Sequence, residues 1–469
     1  MKKILFVSLA AASALTTLAQ DGIKGEKFLN DVSYLASDKL QGRFPGTKGN
    51  KMAAKYIARQ FKDDGLKKAF NSYYQPFDVV VKLEPAKNNF INLQGAGNLT
   101  FSKDYSLFSF SGNGKIDAPV IWIGNNVEAL NATDIQHKCV AVWRSKTNND
   151  YDIARQAGDH GAAAVIFITP DTLDVKDVLV RLRPGQKATL GIPVFHLKRR
   201  VWEDNWSNYF SSSRANKNEN SGKTSSVHIT AFVDIQPKKV TANNIVGIIE
   251  GSDDQLKNEY IVLGAHYDHL GWGGYGTGSL KPDTVAIHNG ADDNASGTSA
   301  LLQIARELAN NKSLLKRSVL IVSFSAEEEG LLGSSYFVNH LPVDQSAIKV
   351  MINMDMVGRL NAEQQLYMGG AGTFPGGVAL MKQLGEGSGL NPVVHAGGVG
   401  GSDHVSFYRK GISAVGMHTG GHPQYHTPED DAPLINKEGA ELVCRYIYKA
   451  IESLANRTEE FKFIKQDGD

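Results

Sequence analysis

The sequence predicts an α/β fold, a mainly parallel, mixed sheet flanked by helices on both faces and interrupted by a β-rich insert. Three observations support this. From Asn243 onward, apolar runs of strand length (Tyr260 to Ala265, Ser318 to Ser325, Val350 to Met354) alternate with helical periodicity over Ser296 to Asn310, where Leu301, Ile304, Ala305 and Leu308 share a face. A second amphipathic pattern, with Leu442, Tyr446, Ile447, Ala450 and Leu454 on one side, runs from Lys437 to Leu454. Between about Asn88 and Pro237 the texture changes to short β-type runs: Ala118 to Ile123, Cys139 to Trp143, Ala163 to Thr169, Ile192 to Leu197 and Val227 to Val233.

Alternating strands and helices imply crossover connections, which place helices on both faces of an open sheet. In such sheets ligands bind in the crevice beyond the carboxyl ends of the strands. Residues 24 to 69 read as helical, with Ala54, Ile57, Ala58 and Phe61 on one face and Asp64-Gly65 as the stop. Leu40 to Gly46 is a turn-rich loop between helices with no catalytic set. The insert carries one helical pattern, near Asp152 to His160, and a very polar stretch from Ser211 to Ser226. No internal repeat of fixed period is present. The organisation expected is therefore a main domain of residues 24–85 and 240–458, with residues 88–237 inserted.

Residues 1–19 read as a secretory leader: Lys2 and Lys3, an apolar run from Ile4 to Leu18, and a small-residue exit at Ala19. That run is shorter than the roughly 20 residues needed to span a bilayer. Export to a periplasmic or extracellular location is expected, without integral membrane association. With 469 residues, 42% of them hydrophobic, the chain can bury a large core. Its 50 basic and 49 acidic side chains leave a net charge of +1, which gives no pull toward nucleic acid or anionic lipid. Cys139 and Cys444, the only cysteines, read as small buried hydrophobes.

The chemistry is concentrated at strand ends. His266 and Asp268 follow the first apolar run, Glu327, Glu328 and Glu329 the second, and Asp355 the third. Three consecutive glutamates at a partly buried rim repel one another unless cations neutralise them. Carboxylates mixed with imidazoles favour zinc among divalent ions. Asn289 to Gly297 adds Asp292 and Asp293 in a glycine-bounded loop, and either carboxylate has two oxygens with which to bridge ions about 3.5 to 4 Å apart. The Pro-punctuated segment His422 to Pro428 adds His426 before the last helix. Taken singly, any of these histidines would be read as an ordinary surface or hydrogen-bonded residue; convergence is what argues for ligands.

Five segments, Gly264-Ala-His-Tyr-Asp268, Gly290-Ala-Asp-Asp-Asn-Ala-Ser-Gly297, Ala326-Glu-Glu-Glu-Gly330, Asn353-Met-Asp355 and Tyr425-His426, occur in an order that resembles the M28 family of co-catalytic zinc aminopeptidases and carboxypeptidases. The insert resembles a protease-associated (PA) domain by texture. The resemblance implies a zinc-exopeptidase fold and two Zn2+ per chain, with Asp293 shared, His266 and Asp355 on one ion, and Glu328 and His426 on the other. It further implies Glu327 as general base, Asp268 as the carboxylate that orients His266, and Tyr425 as a donor to the oxyanion. The expected partner is a peptide substrate, cleaved at its N-terminus. Carboxypeptidase or dipeptidase action would need a cation for the terminal carboxylate, for which Arg359 and Arg409 are candidates. Glutaminyl cyclase chemistry on a single zinc is a third option. His269, His404, His418 and His422 fall in the same loops and are expected to support or line a pocket. Gly401 to His404 is expected to border that pocket. The run Gly271 to Gly278, with Trp272 and Tyr275, reads as a flexible lip.

Overall fold

The computed structural model describes residues 22–185, 187–206, 223–274 and 276–466. The leader, residues 211–222 of the polar stretch and Tyr275 lie outside them. Two compact units form. One holds the described residues up to Val79 and from Thr241 onward, and the other is Val80–Val240.

The first unit is built on a nine-stranded sheet. Its strands are β1 (Lys67–Lys68), β2 (Tyr74–Pro85), β3 (Ile235–Ile249), β4 (Tyr260–His266), β5 (Ser318–Phe324), β6 (Ile348–Met354), β7 (Gln365–Gly369), β8 (Asn391–Val394) and β9 (Ser413–His418). Their order is β1-β3-β5-β4-β6-β9-β7-β8, with β2 paired to β3. The centre, β5-β4-β6-β9, is parallel, while β3 and β7 pair antiparallel to it.

Alternation along the central strands explains their burial on both faces. Ile261, Leu263, Ala265, Val319, Ile321, Val350 and Ile352 join one core, into which the helices Gly25–Leu35, Lys48–Asp63, Gly297–Asn310 and Lys437–Asn456 send Phe28, Ile57, Leu301 and Ile447. Val262, Leu320, Val322 and Met351 face the opposite side and meet Phe337 of helix Leu332–Asn339 and Phe407 of helix His404–Arg409. From β4 the chain crosses to β5 on one side and then to β6 on the other. The two crossovers leave opposite faces, which opens a crevice at the carboxyl end of β4.

The second unit is an eight-stranded sheet that buries one core on each face. The runs read from the sequence fall in the strands Gly114–Gly124, Cys139–Trp143, Ala164–Ile168, Val194–Leu197 and Lys223–Val233. Helix Asp150–Asp159 covers one face through Ile153, Ala154 and Ala157. Sequence reasoning missed a second helix, Arg199–Trp206, whose Val201, Trp202 and Trp206 pack on the other face. Eight residues make too short a periodic signal to be read from pattern alone. Both cysteines are buried and free. Among the described residues, no helix is long and apolar enough to cross a membrane.

Candidate active site

Strand β4 ends on His266, which is fully buried. Its Nδ1 lies 3.3 Å from the main-chain oxygen of Asp268, an atom that only accepts, so the proton belongs on Nδ1 and Nε2 is the free ligand atom. That Nε2 lies 3.4 Å from Asp293 Oδ1, 3.5 Å from Asp355 Oδ1 and 3.9 Å from Glu327 Oε2.

The other oxygen of Asp293, Oδ2, is 3.0 Å from His426 Nε2. His426 Nε2 is also 3.2 Å from Glu328 Oε2. His426 donates its Nδ1–H to Gly278 O at 3.0 Å, which again leaves Nε2 as the inward-facing atom. Asp293 thus stands between two histidines, one oxygen toward each. The predicted set of His266, Asp293, Glu328, Asp355 and His426 comes together on one rim, with Glu327 beside it.

Local backbone explains how neighbouring residues diverge. Asp292 turns away from the rim: its Oδ1 accepts from Gly358 N–H at 2.7 Å, and its Oδ2 sits 3.3 Å from His422 Nε2. Gly290 precedes this pair with φ +57°, and a Cβ there would lie 2.1 Å from Asp293 O. Glu327 and Glu328 are separated by a turn rather than by the alternation of an extended segment, with Ala326 at φ 59° and both Gly330 N–H and Leu331 N–H donating to Glu327 O.

Asp268 faces both the imidazole and the glutamates. Its Oδ1 lies 3.7 Å from His266 Nδ1, within ion-pair distance, and its main-chain oxygen accepts from that Nδ1–H at 3.3 Å. The carboxylate also accepts the main-chain N–H groups of Glu327 at 3.2 Å and Glu328 at 3.4 Å.

Electrostatics follow from crowding and burial. Desolvation alone would lower His266, yet the carboxylates of Asp355 and Glu327 push it well above the ordinary histidine value. His426, likewise lowered by burial, is pushed up to about 11 by Asp293 and Glu328. Glu327 is raised well above the usual carboxylate range, first by burial and then by Asp403 and Glu328, with His266 opposing. Burial and Glu328 raise Asp293. The buried carboxylates thus favour positive charge on the imidazoles between them.

These side chains fit divalent cations. Two groups, His266 with Asp293 and Asp355, and His269 with Asp293 and Glu328, each bring three ligand atoms within 4.8 Å of one another. Buried His266 Nε2 and Asp355 Oδ1 have no hydrogen-bond partner, as expected of atoms reserved for a metal.

A cavity of about 410 Å3 opens beside the rim, lined by Asp293, Glu327 and Asp355 together with Met356, Met417 and Tyr425. Gly401, Ser402, His404, His418 and His422 also line it, in keeping with the loop placement read from the sequence. Tyr425 is 38% exposed and stacks on His426 with ring centroids 3.9 Å apart. Burial, followed by Asp293 and Glu328, pushes its phenol up, so it stays protonated. Trp272 is half exposed, on a loop tied down by Leu280 N–H donating to His426 O.

His269, expected to support or line the pocket, sits against Glu328, with Nδ1 2.7 Å from Oε1. Sequence reasoning missed Arg43 and Asp430, which are both fully buried and contact the main chain around Asp293. Of these two, only Asp430 carried a legible signal, four residues beyond His426 in the same loop.

Acidic and imidazole ligands gathered at the carboxyl ends of a central parallel sheet define a metallohydrolase. Residues 244–451 match the model described as Peptidase family M28. The chain is 28% identical over 452 residues to the aminopeptidase YwaD of Bacillus subtilis (strain 168), covering 92% of this chain and 85% of YwaD. A solved zinc aminopeptidase from Bacillus subtilis is 25% identical with a TM-score of 0.57, over 94% of this chain and 98% of that one. The aminopeptidase from Aneurinibacillus sp. strain AM-1 shares the fold at 22% identity and a TM-score of 0.60, over 96% and 98% of the two chains. Residues 244–451 thus carry a segment matching peptidase family M28, and the chain is a metallopeptidase.

Proposed function

We propose that the chain is an exported zinc aminopeptidase that releases N-terminal residues from peptides, using two zinc ions and Glu327 as general base. The observation that carries this reading is Asp293, whose two oxygens lie 3.4 and 3.0 Å from the ligand atoms of two different histidines. His266 and Asp355 would hold one ion, Glu328 and His426 the other, with Asp293 shared. His269 donates Nδ1–H to Glu328 and is assigned to orienting that carboxylate, the usual work of a group just outside the ligand set. Export rests on the leader pattern of residues 1–19, and the unit Val80–Val240 is read as the PA-like insert.

Bound there, the zinc pair supplies Lewis acidity and lowers the pKa of water. The remaining work falls to the chain. Glu327, buried beside the rim and lining the cavity, is assigned to take a proton from the attacking water and return it to the leaving amine. Tyr425, which lines the cavity, is assigned to donate to the oxyanion as charge develops on the scissile carbonyl.

Cleavage from the amino end is supported by the cavity wall. Among the described residues neither lysine nor arginine lines it. Arg359 donates to Gln424 instead, and Arg409 ends a helix. A terminal carboxylate would thus find no cationic side chain on this wall. The deciding experiment measures zinc per chain alongside hydrolysis of free-amine, N-blocked and C-blocked peptides. Two zinc ions with cleavage that requires a free amine are expected; one zinc with cyclisation of N-terminal glutamine would overturn the assignment.

A further inference from the structure

The turn-rich loop Leu40 to Gly46, which carries no catalytic set, places an arginine under the site. Gln41, Gly42 and Arg43 occupy the left-handed region in succession, at φ 49°, 68° and 50°. Two of them are not glycine, an unfavourable run that persists only where surrounding contacts over-determine it. Gly42 has no alternative, because a Cβ there would lie 2.4 Å from Gly271 O and 2.5 Å from His288 O. The run delivers the Arg43 side chain, wholly buried, to four main-chain oxygens. Nε donates to Tyr267 O at 2.7 Å, Nη1 to Leu35 O and Asn289 O at 2.6 Å each, and Nη2 to Gly290 O at 3.0 Å.

The opposite edge of the same segment is held by an anion. Asp430, also wholly buried, accepts Asp292 N–H at 3.1 Å on Oδ1 and 3.0 Å on Oδ2, and Asp293 N–H at 3.0 Å on Oδ2. Its main-chain oxygen takes Ala291 N–H at 3.0 Å. Between Asn289 and Asp293, two carbonyls point at a guanidinium and three amides at Asp430. Tyr267, whose carbonyl also accepts from Arg43, lies between His266 and Asp268.

We propose that Arg43 and Asp430 are positioning residues, a buried cation and a buried anion that grip opposite edges of residues 289–293 and thereby aim the Asp293 carboxylate between the two histidines. Arg43 additionally registers this segment against the end of β4. The inference rests on the reading of Asp293 as the shared zinc ligand. Asn at 430 keeps the shape but offers one accepting oxygen in place of two, and Lys at 43 keeps the charge without the planar fork.

The test compares native protein with Asp430→Asn, Arg43→Lys and Arg43→Met. Zinc affinity is measured by chelator competition, turnover at saturating zinc, and folding by the unfolding midpoint of metal-free protein. Loss of an orienting group outside the ligand set typically costs about 10- to 100-fold in metal affinity or activity. Asp430→Asn is expected to lose zinc affinity on that scale and kcat with it, at nearly unchanged KM. Arg43→Lys should retain more of both than Arg43→Met. Affinity and kcat within about twofold of native in folded Asp430→Asn would overturn the proposal, as would a lowered midpoint without any change in affinity. If Asp430→Asn does not fold, Arg43→Lys is judged by the same criteria. Absence of peptide hydrolysis by the native chain would defeat the aminopeptidase reading separately, because the affinity comparison does not depend on turnover.

Discussion

Glu327 and Glu328, adjacent in sequence, face different histidines: Glu327 Oε2 lies 3.9 Å from His266 Nε2, and Glu328 Oε2 lies 3.2 Å from His426 Nε2. One carboxylate is within ligand range of a metal-type cluster, and the other stands farther off at the cavity wall. Different losses follow from similar substitutions. Glu327→Gln removes the base but no ligand, so zinc content should stay native while kcat falls by about two to four orders of magnitude. Glu328→Gln should lose zinc as well as turnover. Metal analysis beside steady-state kinetics separates the two, and near-native turnover in Glu327→Gln would reject its role as base.

The choice between Asp292 and Asp293 can be tested in the same way. Only Asp293 has both oxygens near histidine ligand atoms, whereas Asp292 accepts from Gly358 N–H and faces His422. Asp293→Asn is expected to bind less than one zinc per chain and to be inactive. Asp292→Asn keeps an accepting oxygen for Gly358 and should still bind zinc. The opposite pattern in metal content would move the shared-ligand role to Asp292.

What the sequence made legible was the chemistry at strand ends. His266, Glu327, Glu328 and Asp355 were readable because burial on both faces writes β4, β5 and β6 as apolar runs, and a charged residue just past such a run must lie on the rim. The turn that separates Glu327 from Glu328 was hidden, because the positive φ at Ala326 has no sequence marker such as glycine. Arg43 was missed for a related reason. Three of its four partners are main-chain oxygens more than 220 positions away, and backbone carbonyls leave no trace in residue identity. The helix Arg199–Trp206 was too short for its period to stand out.

Zinc should stabilise one unit selectively. The buried carboxylates of the site repel one another, so a bound cation adds stability by mass action, about 4 kcal/mol at a free concentration 1,000 times Kd. For a unit of this size that corresponds to a rise of roughly 10 °C in Tm. Scanning calorimetry with zinc and with chelator should show the shift in the transition assigned to the site-bearing unit, while that of Val80–Val240 stays in place. Equal shifts in both transitions would refute a site confined to the first unit.

An acid sensitivity of its own is expected for the second unit, centred on His196. This buried imidazole accepts Val180 N–H on Nδ1 at 2.8 Å, so its proton must sit on Nε2, 2.7 Å from Thr169 Oγ1. Protonating Nδ1 would break the first bond and bury a charge. Burial, helped by Arg144 and Lys198, accordingly lowers its pKa to about 3. Unfolding returns the group to about 6.5. Below that value the unfolded chain binds a proton that the folded unit refuses. The stability from neutral His196 is therefore complete above about pH 6.5 and declines as pH falls toward 3, with a slope of at most about 1.4 kcal/mol per pH unit. His196→Gln should cost about 1 to 3 kcal/mol at pH 7, because its amide cannot satisfy both partners. It should also flatten the decline between pH 6 and 4. Denaturant unfolding of the native chain and this variant across that range measures both effects, and parallel pH profiles would show that another group sets the acid limit of the unit.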